Sequence, residues 1–82
     1  MFQNEKYGVT PELAKILEKF GLECMNNCHP RLIEKLTNQI EKYPNVPHFK
    51  NYLGIVYRNL NNIMKAREVN KWILKEHPDY LF

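Results

Sequence analysis

A chain of 82 residues, 44% hydrophobic and 26% charged, is expected to form one small globular domain and is unlike a disordered tail. No apolar run approaches the roughly 20 residues that span a bilayer, and the N-terminus has no secretory signal, so a cytoplasmic protein without membrane contact is expected. The net charge of +3 is lopsided: residues 1–46 hold six basic and six acidic groups, whereas residues 47–82 hold six basic (Lys50, Arg58, Lys65, Arg67, Lys71, Lys75) against three acidic.

Order begins after Gly8. Thr10 is a good N-cap and Pro11 suits the first helical position, where a missing N–H costs nothing. The first helix is predicted from Pro11 to about Met25, with Leu13, Ile16, Leu17, Phe20 and Cys24 on one stripe. Gly21 inside it is unfavourable by up to about 1 kcal/mol relative to Ala, a cost that a close helix crossing would justify. Asn26 to Pro30 reads as a turn, with asparagine tolerating left-handed backbone.

A second helix is predicted over about Pro30 to Lys42, burying Leu32, Ile33, Leu36 and Ile40. Tyr43-Pro44-Asn45-Val46-Pro47 ends it, with Asn45 as the candidate cap of the third helix. That helix covers about Pro47 to Leu60 through Phe49, Leu53, Val56, Tyr57 and Leu60. Asn61-Asn62 closes it, since asparagine replaces glycine well where a turn needs positive φ. The fourth runs from about Ile63 to Glu76, with Ile63, Ala66, Val69, Ile73 and Trp72 as inward candidates. Four amphipathic helices joined by short turns predict an all-α fold of two stacked antiparallel hairpins, about 11–43 and about 47–77, in one domain spanning 1–82.

The segment Lys50-x2-Leu53-Gly54-x2-Tyr57, followed by Ala66 and Pro78, resembles a tetratricopeptide repeat, a helical hairpin of about 34 residues. Lys50 stands where that pattern has tryptophan and Asn70 where it has phenylalanine. A fainter copy, Leu17-x2-Phe20-Gly21-x2-Cys24, lies 33 residues upstream, and Tyr43-Pro44 lies 34 residues upstream of His77-Pro78. In this pattern Gly54 lets the next helix approach, with Ala66 as its small counterpart. Residues 78–82 would begin a further repeat or form an end cap.

The resemblance implies a non-catalytic protein-interaction module that takes a partner peptide or helix in a concave groove lined by the first helix of each hairpin. Aligned on Gly21 and Gly54, the candidate partner-binding residues are Lys15, Glu18, Leu22 and Met25, with His48, Asn51, Ile55 and Arg58. An uncapped last hairpin would make Trp72, Tyr80, Leu81 and Phe82 candidates for self-association into a homo-oligomer. The alternative is a nucleic-acid-associated helical protein using Lys65, Arg67, Lys71 and Lys75 on phosphates, although these residues spread around their helix.

Chemistry is poorly represented. Cys24, Cys28 and His29 lack the fourth ligand that structural zinc needs, so free thiols and no metal are expected. No Gly-rich phosphate loop, carboxylate pair or nucleophile–base–orienter set is present, and neither an enzyme nor a cofactor is expected.

Overall fold

Each helix starts where backbone chemistry allows it. In the computed structural model, which describes residues 7–80, α1 spans Pro11–Asn26, α2 Arg31–Lys42, α3 Pro47–Asn59 and α4 Ile63–Glu76. Thr10 caps α1: its Oγ1 accepts from the Leu13 N–H at 3.2 Å, and Pro11 opens the first turn beside Glu12. At the other end Asn27 has φ −147°, so it is not left-handed, and its N–H reaches the Glu23 carbonyl at 2.9 Å. The turn before α2 therefore needs no left-handed residue.

Two helix starts differ from expectation. Pro30 occupies the cap position of α2 instead of its first turn. Val46, not Asn45, sits at the start of α3, with no side-chain cap bond. Val46 and Pro47 are both buried there, so apolar packing fixes this start. The end of α3 agrees with expectation: Asn61 has φ 65°. The Asn61 N–H donates to the Arg58 carbonyl and the Asn62 N–H to the Tyr57 carbonyl, the paired bonds of a Schellman turn. Asn62 then caps α4 by accepting from Lys65 N–H at 3.2 Å. Two adjacent asparagines thus end one helix and begin the next.

The four helices stack as helical hairpins with α3 at the centre. It packs most extensively on α4, next on α2 and then on α1, while the direct contact between α1 and α2 is slight. The core draws Leu13, Leu17 and Cys24 from α1, Leu32, Leu36 and Ile40 from α2, Phe49, Leu53 and Val56 from α3, and Val69 and Ile73 from α4. Phe49 is fully buried between two rings, edge-on to Phe20 at 5.9 Å and stacked on Tyr43 at 6.0 Å. Because α1 docks along the Leu13–Leu17–Cys24 line, Ile16 is left 36% exposed, outside the buried stripe expected for it. Ile63, the first residue of α4, is likewise exposed.

The two helical glycines do different jobs. A Cβ on Gly21 would lie 3.0 Å from the Tyr52 hydroxyl oxygen, so this position receives a side chain of α3. A Cβ on Gly54 would lie 3.5 Å from Val69 Cγ1 and 3.6 Å from Asn70 Oδ1, an ordinary contact distance. The atoms nearest that position belong to Val69 and Asn70, on the helix that also buries Ala66. Gly54→Ala is expected to stabilise the fold by up to about 1 kcal/mol through helix propensity, and Gly21→Ala by less, because Tyr52 must shift. Urea unfolding midpoints of the two variants against wild type check this.

Candidate functional site

Helix α1 presents Lys15, Glu18, Leu22 and Met25 at spacings of three and four residues, and all four are exposed. Helix α3 presents His48, Asn51 and Ile55, each half-buried, and exposed Arg58. Two contacts set these helices side by side: Tyr52 fills the space over Gly21, and Asn59 Nδ2 donates to the Cys24 carbonyl at 3.2 Å. The second contact joins the C-terminal ends of α1 and α3. The open end of this face therefore carries Leu22 and Met25 from α1 with Ile55 and Arg58 from α3.

The other end is filled by the chain's own aromatic rings. Tyr80 lies edge-on to His48 at 5.2 Å and is hydrogen-bonded to Asn51. Tyr7 meets His48 at 6.2 Å, His77 at 5.9 Å and Tyr80 at 6.0 Å, each edge-on. Burial pushes the Tyr80 hydroxyl above the ordinary tyrosine range and holds His48 below the ordinary histidine value, with the nearby His77 acting on His48 in the same direction. His48 Nδ1 is buried with no hydrogen-bond partner among the described residues. His48 and Asn51, expected to line an open groove, are thus largely covered. Of the self-association candidates, Tyr80 is engaged in this cluster, while Leu81 and Phe82 lie outside the described residues.

The residue whose place differs most from expectation is Lys50. Counted by its charge among the basic surface groups, it is 1% exposed. Its Nζ donates to the Pro44 carbonyl at 3.2 Å and to Glu76 Oε1 at 2.9 Å, and sits 2.8 Å from His77 Nε2. An ammonium has three N–H donors and no acceptor, so His77 accepts through a neutral ring whose proton is on Nδ1. The Trp72 ring lies 4.6 Å from the same Nζ, and Trp72 itself remains 37% exposed. Hydrogen bonding to Lys50, then its charge, holds the Glu76 carboxyl below the ordinary glutamate value. Burial, then the Lys50 charge, holds His77 below the ordinary histidine value, with Glu76 opposing. The basic excess open to solvent on the second hairpin is therefore Arg58, Lys65, Arg67, Lys71 and Lys75.

Cys24 and Cys28 are both free. Cys24 is 1% exposed, and burial, with Cys28 and Glu23 nearby, pushes its thiol up to about 11, which leaves almost no thiolate at neutral pH. His29 faces Glu23 at 4.0 Å on the turn between α1 and α2, where His29, Pro30 and Arg31 line an open cleft. No group of three His, Cys, Asp or Glu side chains among the described residues is placed to hold a metal ion. No helix among them is long and apolar enough to cross a membrane.

Comparison of the chain with protein-family models, with curated proteins and with solved structures finds no match. The fold and the placement of these side chains are therefore the ground for a functional reading. On that ground Lys50 is a structural residue, and Lys50→Ala is expected to cost about 2–4 kcal/mol, from the lost packing of its buried stem and the acceptors left unpaired. Glu76→Gln should cost much less than Lys50→Ala, because that carboxylate is open to solvent and its pairing is screened. Chemical denaturation of both variants, with equal helicity required at the starting point, checks the ranking.

Proposed function

We propose that the chain is a non-catalytic protein-interaction module, tetratricopeptide-like in construction, that receives a helix or peptide of a partner along the face shared by α1 and α3. The observation that carries this reading is the exposure of Leu22 and Met25, 55% and 79%, on the helix that Gly21 and Cys24 join to α3. Unbranched and flexible, methionine adapts to varied partner shapes. Leucine and methionine beside half-buried Ile55 offer apolar area to an amphipathic partner, and Arg58 at the same end offers a bidentate donor to a carboxylate. In this reading the face is held by helix packing before the partner arrives, so binding orders few groups.

The opposite end contributes little direct contact in this reading, since Tyr7 and Tyr80 already occupy His48 and Asn51. Specificity then rests on the pairing of an apolar anchor with Arg58. The exposed cations of α4, Lys65, Arg67, Lys71 and Lys75, lie apart from this face and serve as the control.

The experiment is affinity capture with matched baits: wild type, the double variant Leu22→Asp with Arg58→Ala, and Lys71→Glu. Proteins retained by wild type and by Lys71→Glu should be lost from the double variant, with affinity for any identified partner reduced at least about tenfold. Equal retention by the double variant, at unchanged helicity, overturns the assignment of the face.

A further inference from the structure

Lys50 and His77 sit at the junction of three segments. Lys50 belongs to the first turn of α3, Pro44 to the turn before it, and Glu76 and His77 to the end of α4. His77 is 8% exposed, and its N–H ends α4 by donating to the Ile73 carbonyl at 2.7 Å. Its carbonyl in turn accepts from the Tyr80 N–H at 3.0 Å, which fixes the turn that lays Tyr80 against His48. The position of Tyr80 thus depends on His77, and the position of His77 on Lys50.

We propose that Lys50 and His77 form an acid-sensitive latch: while His77 is neutral, the turn 77–80 is held over the start of α3, and protonation of His77 releases that turn and uncovers His48 and Asn51. The 2.8 Å contact between Nζ and Nε2 exists only while Nε2 carries a lone pair. A proton there turns an acceptor into a second donor and sets two cations face to face in a buried site. This property of the fold goes beyond the interaction reading and does not depend on it.

Among the described residues, the groups placed around His77 bear on the sign. From α3, the Lys50 ammonium disfavours the imidazolium, and His48 adds a second positive charge when it too is protonated. From α4, Glu76 favours the imidazolium, but this half-exposed carboxylate is already engaged by Lys50 at 2.9 Å. Tyr7 presents a ring edge to His77 at 5.9 Å, and Tyr80 reaches it through the backbone, its N–H donating to the His77 carbonyl. Burial and the nearer cation outweigh Glu76, and both histidines are held below their ordinary value. A base whose folded-state value is depressed stabilises the closed form above its released-state value, near 6.5, and that contribution is lost as pH falls from there through the folded value. Glu76, held below its ordinary value of 4.5 by its hydrogen bond to Lys50, keeps that pairing to lower pH than a free glutamate would.

Proton and nitrogen NMR on the whole chain between about pH 7.5 and pH 5 tests the latch. In wild type the Tyr80–His48 ring contacts should fade along with the titration of the His77 ring, and amide protection at Tyr80 should fall by up to about tenfold per pH unit. Amides of Leu36 and Val56 in the core should hold. In His77→Gln, whose side-chain carbonyl accepts from Lys50 without titrating, the ring contacts should persist across the range. Ring contacts that survive to pH 5 in wild type overturn the proposal, as does their loss over the same range in His77→Gln. Should that variant fold poorly, the wild-type titration still decides: a His77 midpoint at or above the ordinary value of about 6.5 overturns it as well.

Discussion

A single ammonium group without direct access to solvent sets the terms for the rest of this structure. Burying a charge is costly unless every donor is used and a countercharge is near. Lys50 meets the condition with three acceptors and an aromatic face, drawn from the turn after α2 and from the last turns of α4. Its hydrocarbon stem fills space as an apolar residue would, while its head joins elements 26 and 27 residues away in sequence. A larger apolar side chain at this place would fill the volume but would leave Pro44 and His77 without this donor.

That junction lies at one end of α3, and α3 is the helix that the other three share. It is buried at Pro47, Phe49, Lys50, Leu53, Gly54 and Val56, around more of its circumference than a surface helix allows. What remains of its surface divides in two. Toward the N-terminal end, His48 and Asn51 lie beneath Tyr80, with Tyr7 alongside His48; toward the C-terminal end, Ile55 is half-buried and Arg58 exposed. One helix thus carries a closed region and an open one about two turns apart.

Much of the fold was legible in the sequence because it rests on local chemistry. Thr10-Pro11, the double asparagine at 61–62 and the apolar periods at Leu32-Leu36-Ile40 each act within one or two turns, and each does in the structure what its local pattern implies. Long-range placement was less legible. Lysine is ordinarily a surface residue, and nothing within a few positions of Lys50 announces that Glu76, His77 and Trp72 converge on it. Its position in a repeat pattern where tryptophan is expected was the one available signal that its stem would be buried. The aromatic cover over His48 and Asn51 was hidden for the same reason, since it brings Tyr7, Tyr80 and the start of α3 together from across the chain. The tie from Asn59 to Cys24 joins residues 35 apart and has no counterpart in the apolar stripes.

The slight direct contact between α1 and its sequence neighbour α2 has a consequence for how the molecule comes apart. Helix α1 is fastened across space to α3, by Leu13, Leu17 and Cys24 and by the single Asn59 bond, whereas α2, α3 and α4 form an unbroken run of neighbours. The opening expected of such an arrangement is α1 swinging away as a piece while the remaining three helices hold together. Cys24 is shut in along that seam, so the rate at which an alkylating reagent reaches its sulfur is a clock for the detachment.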